Sequence, residues 1–414
     1  MFPQRLTRSA SLKLICELTG RGMQFGLAYT AQRLLGQVGY GQFSFAFSVG
    51  YVLAVFTDFG LQLIITREVA HGATHIARMG LLIKLALTGL ALLALIAIAT
   101  TRPIDQRSTF LLLGIALILN TFTEYFGYVL RGLQHITEEA LLLLTQRALV
   151  AVSGVVLLWW RLDVMSLAVA YIVGAIVTMS YAALRVCALL PTSQVDPLGG
   201  KCFGWLLSQS LPLGMAIVLS VAYTRTGPLL LDWLRGAAEL GAYSVAQKLA
   251  EPMSLLPASV MAAVFPSLSW ALTHDPAQAQ SLQHRTLLIL SIAGAFLALC
   301  IGLGSDALIK FLYRGQYADA IQPLQILGLA ILPIFVNHAL THFTVAMGRQ
   351  GLNLLFNGII FGLNLALCLW WIPQYGATGA AASVLICECI LFGLCSIALK
   401  SPQNSPKKQW TLRR

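Results

Sequence analysis

Residues 81–99 read LLIKLALTGLALLALIAIA, a nearly unbroken apolar run rich in leucine and alanine. Its length matches the roughly 20 residues that a helix needs to cross the hydrocarbon core of a bilayer. A strand of a membrane β-barrel would instead alternate apolar and polar residues over about ten positions. The stretch therefore predicts a membrane-spanning helix.

Comparable runs fill the rest of the chain. Of its 414 residues, 57% are hydrophobic and 10% are charged, and the mean hydropathy is +0.77, which leaves too little polar surface to coat a soluble particle. We therefore predict an all-α integral membrane protein with about twelve transmembrane helices. The predicted helices cover residues 12–31, 43–65, 79–99, 109–130, 141–160, 164–190, 205–231, 240–266, 286–304, 321–345, 352–371 and 376–398.

A hydrophilic stretch rich in proline, glycine and serine falls halfway along the chain, at residues 191–204. It predicts a cytoplasmic linker between two six-helix bundles, residues 1–190 and 205–400, followed by a basic cytoplasmic tail at 401–414. Because six is even, both bundles would begin on the same membrane face. The halves would then be related by a pseudo-twofold axis along the membrane normal, with the substrate path between them.

The two predicted halves echo each other faintly in sequence. At an offset of 200 positions, Gly36, Gly41, Phe43, Ser44 and Ala46 match Gly236, Gly241, Tyr243, Ser244 and Ala246. Each set opens the second helix of its half, so the equivalent positions favour an internal repeat.

Basic residues set the predicted orientation. Most of the 27 lysines and arginines fall in segments that become cytoplasmic when the amino terminus is placed inside. The sequence thus predicts a multi-pass protein with both termini in the cytoplasm. Much of the net charge of +11 reflects this orientation rather than affinity for nucleic acid.

Ionisable side chains are costly at bilayer depth unless they face a cavity or a partner. Four cations lie in or at the ends of predicted spans, namely Arg21, Arg147, Arg225 and Lys248. Guanidinium matches phosphate oxygens with two parallel hydrogen bonds, and a low dielectric strengthens each contact. A central chamber lined by these cations predicts a substrate that is an anion bearing phosphate.

Each cation also has a simpler explanation. Glu17 and Arg21 are spaced i, i+4, and Lys248 and Glu251 are spaced i, i+3, so each pair could neutralise itself. The other two arginines have no such local partner. Arg147 could extend to the membrane interface from the first turns of its helix, and Arg225 could pair with a carboxylate on another helix.

Polar stripes on four helices should face the bundle interior, where they either line a wet cavity or join helices by hydrogen bonds. On one of these helices, His338 and His342 are spaced as paired metal ligands are, but no third ligand is obvious nearby. We predict no metal site, no cofactor and no catalytic residue. A Walker A motif does not occur in the sequence, so an ion gradient is the expected energy source.

Two blocks of sequence resemble a known family. Residues 33–43 (RLLGQVGYGQF), 57–61 (TDFGL) and 66–70 (TREVA) are similar to the amino-terminal signature of Wzx-type polysaccharide flippases. Residues 239–249 (ELGAYSVAQKL) and 264–269 (VFPSLS) resemble the motif around the eighth helix of these proteins. On these motifs the chain is identified as a member of the multidrug/oligosaccharidyl-lipid/polysaccharide (MOP) exporter superfamily.

The resemblance implies a function. Such a protein would move undecaprenyl-pyrophosphate-linked oligosaccharide from the cytoplasmic to the periplasmic leaflet of a bacterial inner membrane, and it would not be an enzyme. Its lipid-linked substrate and the bilayer are the implied partners, with the pathway's glycan polymerase and ligase as further candidates.

The mechanism expected is alternating access, in which the halves rock about the central chamber. By the family pattern Asp58, Arg67 and Glu68 lie at the cytoplasmic side, where they could form a gate or hinge contact, and Lys248 falls on a motif position. Asp58, Glu124 and Glu251 are the candidate coupling sites for protons or sodium.

Three other functions compete with this one. A cation-coupled multidrug exporter of the same superfamily should prefer an acidic, aromatic cavity, against which the basic residues argue. A membrane-embedded glycan polymerase or ligase should need a sizeable external loop, and the longest one here is residues 305–320. A scaffold for glycan-assembly proteins would explain the spans but not the buried charges.

Overall fold

The computed structural model of the protein describes residues 2–190 and 200–400, and these are almost entirely helical. The helices are α1 (Phe2–Asp58), α2 (Leu61–Ala70), α3 (His75–Thr100), α4 (Ile104–Gly132), α5 (Ile136–Trp160), α6 (Val164–Leu189), α7 (Gly200–Arg235), α8 (Ala237–Ala250), α9 (Leu255–His274), α10 (Pro276–Tyr313), α11 (Ile321–Ala346) and α12 (Gln350–Lys400). Short 3-10 turns, Glu251–Ser254 and Ala318–Ala320, join α8 to α9 and precede α11.

Parts of the predicted linker and the whole predicted tail lie outside the described residues. These are residues 191–199 and 401–414. Residues 200–204, which the sequence placed in the linker, already form the first turn of α7. The linker and tail therefore stay predictions, with the linker's carboxyl end shorter than expected.

Ten helical stretches of the described chain are long and apolar enough to cross a membrane. Two of them contain a sharp break and so cross twice. In α1 the break lies at Gly36, and in α12 it lies at Gly376. Counting each arm separately gives twelve crossings, which confirms the predicted helix number and the all-α membrane class.

The breaks depend on glycine. Gly36 has φ 66° and ψ −174°, Gly236 between α7 and α8 has φ 87° and ψ 177°, and Gly376 has φ 55°. Side-chain-bearing residues rarely adopt positive φ, whereas glycine does so at little cost. Gly36 and Gly236 share one backbone conformation at an offset of 200 positions, so the sequence echo corresponds to a structural repeat.

The breaks define the two ends of the bundle. The turns at Gly36, Gly236 and Gly376 lie at one end, which we call the sealed end, and the opposite end is called the open end. Tryptophans at the sealed end face outward: Trp160 is 81% exposed and Trp233 is 74% exposed. Tryptophan favours the level of lipid headgroups, so these rings indicate where the bilayer surface meets this end.

Three hydrophobic clusters hold the fold together. One lies mainly within the first half around Ile65 and Val129 and also includes Leu206 of α7, and another lies within the second half around Phe335 and Phe343. The third combines residues of both halves, among them Tyr40, Phe43, Tyr243 and Tyr313, and it lies toward the sealed end. The halves are thus packed separately over much of their length and share a core near one end.

Candidate functional site

The second arm of α1 crosses α8 at a close and reciprocal contact. A Cβ atom added at Gly41 would lie 1.8 Å from the carbonyl oxygen of Ala237, and one added at Gly241 would lie 1.9 Å from that of Gln37. Between them, the Oγ atoms of Ser44 and Ser244 are 2.6 Å apart. The two glycine contacts are equivalent at the offset of 200 positions, because Gly241 corresponds to Gly41 and Ala237 corresponds to Gln37. The pseudo-twofold axis therefore passes close to the serine pair.

Polar contacts close the sealed end around this crossing. The Tyr313 hydroxyl donates to the Gln32 side chain at 2.6 Å, and the Tyr317 hydroxyl donates to the Gln32 carbonyl at 2.7 Å. Gln37 donates to the Ala238 carbonyl at 3.0 Å. All of these contacts join the first half to the second. In this conformation a substrate cannot pass between the halves here.

Packing between the halves is looser at the open end. Residues 21–26 on the first arm of α1 are all exposed, and so is Glu251 beyond α8. The halves do meet elsewhere at this end, where the chain after α1 packs against α7. The contact is close because neither Gly60 nor Gly214 carries a Cβ atom. The chamber predicted between the halves would therefore open beside the first arm of α1 and α8.

Arg225 lies on α7 and faces the first half. Its guanidinium carbon is 5.0 Å from the ring centroid of Tyr51 and 5.8 Å from that of Phe47, both on the second arm of α1. Among the described residues it forms no salt bridge, and its Nε atom is buried without a hydrogen-bond partner. A permanently charged group with an unused donor edge is suited to binding an anion.

Arg147 and Arg21 lie together between α5 and the first arm of α1. Arg147 packs against Gly20, and its Nη1 donates to the Glu17 carbonyl at 3.4 Å. Arg21 forms a salt bridge with Glu17 at 2.7 Å, which is the local pairing that the sequence left open. Since that pair is exposed, it is worth little, roughly 0.2–1 kcal/mol, and it leaves the arginine accessible to a ligand.

Lys248 pairs with Glu251 at 2.8 Å, the second local pairing that the spacing allowed. Both side chains are partly exposed. Glu251 also interacts electrostatically with Arg225 and with Arg21, which belong to different halves. Three of the four proposed cations, Arg21, Arg225 and Lys248, therefore lie near Glu251, and Arg147 lies beside Arg21. Two of the four are paired with a carboxylate three or four residues away, and the other two form no salt bridge among the described residues.

Asp58 lies at the end of α1 and pairs with Lys84 of α3. The Lys84 side chain is 0% exposed, and its Nζ donates to Thr121 at 2.8 Å and lies 4.9 Å from the Phe122 ring. Glu124, one turn further along α4, interacts electrostatically with Lys84. The first half thus buries two carboxylates around a single ammonium group.

The remaining gate candidates pair with each other. Arg67 and Glu68 form a salt bridge at 2.8 Å on α2, with the arginine about half exposed. Within the described residues, no hydrogen bond or salt bridge joins this pair to the second half.

Lys84 and Glu388 are the site residues that the sequence reasoning missed. Glu388 is 8% exposed, on α12, and it accepts hydrogen bonds from the Tyr223 hydroxyl at 2.9 Å and from Asn337 Nδ2 at 2.8 Å. It has no cationic partner among the described residues. Each of these residues is a single charge inside an otherwise apolar run, and this could have marked it in the sequence. The mean hydropathy of such a run hides a single charge.

Three asparagines of the predicted polar stripes join helices. Asn337 bonds to Glu388, Asn353 donates to the Thr341 carbonyl at 3.1 Å, and Asn364 donates to the Tyr223 carbonyl at 3.2 Å. No cluster of three potential metal ligands occurs in residues 2–190 and 200–400. These asparagines therefore form hydrogen bonds between helices, which is one of their two expected roles.

The sequence matches the polysaccharide biosynthesis protein family over residues 6–272 and the MatE family over residues 212–370. The first match covers more than half of the chain. A protein of Haloferax volcanii described as a probable low-salt glycan biosynthesis flippase, Agl15, is 22% identical over 403 residues, which cover 92% of this chain and 80% of that protein.

Solved transporter structures share the fold. An inward-facing multidrug resistance MATE transporter of the MOP superfamily has a TM-score of 0.73 at 14% identity and covers 95% of this chain and 100% of its own. The lipid II flippase MurJ in its inward closed conformation has a TM-score of 0.68 at 14% identity, covering 95% of this chain and 88% of its own. The resemblance inferred from the sequence motifs is thereby confirmed. The chain belongs to the polysaccharide biosynthesis protein family and is a transporter or flippase of the MOP superfamily.

Proposed function

We propose that the protein moves an oligosaccharide linked to undecaprenyl pyrophosphate from the cytoplasmic to the periplasmic leaflet of a bacterial inner membrane. The open end would face the cytoplasm, and the halves would alternate between this conformation and one that opens at the sealed end. Glycan polymerase and ligase of the same pathway are the expected neighbours in the membrane.

The observation that carries the proposal is Arg225. Its guanidinium lies on the wall between the halves, without a carboxylate partner among the described residues and with Nε unbonded. Stacking over Tyr51 and Phe47 holds a guanidinium in place while leaving its donor edges free. Pyrophosphate oxygens would bind those edges, and Arg147 would contribute from across the cavity.

The relatives favour a glycan carrier over a drug. The matched family is described by polysaccharide biosynthesis, and the names of Agl15 and MurJ both say flippase. A multidrug exporter would share the fold, but cationic drugs would be repelled by arginines in the cavity. No large external domain occurs in the described chain that could serve a polymerase or ligase.

Ion coupling is part of the proposal. The carboxylates Asp58 and Glu124 in the first half, Glu388 in the second and Glu251 at the open end are the candidates. Glu388 is favoured because it is buried and bonded only by neutral donors, so protonation or cation binding would change its charge most directly.

The test replaces Arg225 with glutamine in the full-length protein, reconstituted in proteoliposomes with a fluorescent undecaprenyl-pyrophosphate oligosaccharide. One lost charge-assisted contact predicts a translocation rate lower by about tenfold or more. Arg285→Gln, which removes an exposed arginine from α10, is the matched control and should translocate normally. Equal rates for both variants, at equal membrane insertion, would refute the role of the cavity cation.

A drug-susceptibility assay in a strain lacking its own pumps separates the rival function. Expression of the protein is expected to leave resistance to hydrophobic cations unchanged. Resistance that rises, and that survives Arg225→Gln, would support the multidrug exporter instead.

A further inference from the structure

Two cavities lie side by side at the sealed end, and the Arg102 side chain separates them. One has a volume of about 390 Å³ and a lining of mixed polar and apolar groups, and the other has a volume of about 330 Å³ and a mainly apolar lining. Arg102 and Phe45 contribute to both. We call them the polar chamber and the apolar groove.

The polar chamber has the chemistry of a carbohydrate site. Asp105, Gln106 and Thr109 from the start of α4 line it together with Gln42 from α1. Carboxylates accept hydrogen bonds from sugar hydroxyls, and amides both accept and donate them. This combination is mixed in charge and type, unlike a simple acidic cluster.

The apolar groove runs between the second arm of α1, the end of α3 and α7. Its walls include Val49, Leu53, Ile98, Leu229 and Leu230. The exposed ring of Trp233 stands at its margin and marks the headgroup level. Apart from Thr101 and Arg102 the lining is apolar, so a hydrocarbon chain in the groove would stay in apolar surroundings as far as Arg102.

Arg102 is fixed at the junction. Arg107 donates to the carbonyls of Arg102 and Thr100 at 2.8 Å each, which holds the backbone between α3 and α4. The guanidinium carbon lies 3.5 Å from the ring centroid of Phe45, and Nη1 pairs with Asp232 of the second half. The Nε atom is buried and has no hydrogen-bond partner.

An ion pair of this kind changes when the halves separate. Because Arg102 belongs to the first half and Asp232 to the second, opening the sealed end would part them. The guanidinium would then lose its carboxylate while keeping its stacking contact with Phe45. A dianionic group could replace Asp232 and also use the free Nε edge.

We propose that this junction is the exit site for the translocated product, an inference that rests on the proposed function. The pyrophosphate binds Arg102, the glycan occupies the polar chamber, and the first isoprene units of the carrier lie in the apolar groove. Asp232 competes with the pyrophosphate for Arg102. Closure of the pair after departure of the product restores the sealed end.

The test uses the full-length protein in nanodiscs and farnesyl pyrophosphate carrying a photoactivatable group at the far end of its prenyl chain. Labelled peptides are identified by mass spectrometry. We expect labelling of the stretch Leu229–Trp233 and of the facing stretch 49–53. Arg102→Gln should reduce this labelling about tenfold, since one charge-assisted contact is lost. Asp232→Asn should increase it, because the competing carboxylate is removed.

The matched control is Arg161→Gln, which removes an exposed charge from the same end of the bundle and should label as the unaltered protein does. Arg102→Lys keeps the charge but loses the planar guanidinium that can donate two parallel hydrogen bonds, so it should be labelled at an intermediate level. This variant replaces Arg102→Gln in the test if the glutamine variant does not fold. Labelling outside the groove, or an equal loss for Arg102→Gln and Arg161→Gln, would overturn the proposal.

Competition identifies the occupant. Excess unlabelled farnesyl pyrophosphate should abolish the labelling, and the same amount of phosphatidylglycerol should not. Equal competition by the phospholipid would mean that the groove holds ordinary anionic lipid, which contradicts an exit site. None of these labelling experiments measures translocation. Failure of the Arg225 translocation test would therefore not decide the labelling result, and failure of the labelling would not decide the translocation test.

Discussion

Replacing Gly41 with alanine should open the sealed end. The new Cβ atom would lie 1.8 Å from the Ala237 carbonyl oxygen, whereas ordinary contacts begin near 3.4 Å. The obstructing atom belongs to a helix backbone, so it cannot rotate away and the two helices must move apart. Overpacking of this kind costs about 1–3 kcal/mol. Against a conformation that avoids the clash, this shifts the equilibrium by roughly 5- to 150-fold toward separation of the halves.

The assay is a distance measurement across the sealed end. Spin labels are placed at positions 161 and 233, which are exposed and belong to different halves, after replacement of the eight native cysteines. Double electron–electron resonance should show a longer-distance population in Gly41→Ala. The pseudo-symmetric variant Gly241→Ala should show the same change, because its Cβ would meet the Gln37 carbonyl oxygen at 1.9 Å.

The matched control is Gly22→Ala on the same helix, where an added Cβ meets nothing within 4 Å. It should leave the distances unchanged and stabilise the helix slightly, by up to about 1 kcal/mol. If both clashing variants gave the distance distribution of the control, while remaining folded, the crossing would not hold the sealed end shut.

Two further predictions concern buried charges. Replacing Lys84 with methionine should lower the free energy of unfolding in detergent by about 3–5 kcal/mol, because the Asp58 carboxylate is left buried and unpaired. Adding Asp58→Asn should recover most of the loss. A double variant as unstable as the single one would argue against the pairing. Replacing Glu388 with glutamine should preserve the fold, because the amide oxygen can still accept from Asn337 Nδ2 while the amide NH2 group donates to the Tyr223 hydroxyl. Translocation should become insensitive to the ion gradient, and retained ion dependence in proteoliposomes would place the coupling site elsewhere.

The membrane architecture could be predicted from the sequence because each spanning helix must satisfy the bilayer on its own. Length and apolar composition therefore identify it without knowledge of its neighbours. The glycine echo at Gly36 and Gly236 was readable for a related reason, since the required backbone conformation is local. Pairs one turn apart, such as Glu17 with Arg21, were likewise accessible from spacing.

Contacts between distant helices could not be predicted in this way. Asp58 and Lys84 are separated by 26 positions, and Arg102 and Asp232 by 130. Nothing in the local sequence says which faces of two helices meet. Lys84 was missed because the apolar run around it dominates the average, although a single charge at that depth must have a partner.

The most direct test of alternating access replaces Ser44 and Ser244 with cysteine in the cysteine-free protein. The serine Oγ atoms are 2.6 Å apart on the pseudo-twofold axis, close enough for a disulfide to join the halves at the sealed end. Translocation of the undecaprenyl-pyrophosphate oligosaccharide is measured in proteoliposomes before and after reduction. The account predicts no translocation while the bond is closed and recovery when it is reduced. Undiminished translocation by the fully oxidised protein would contradict it.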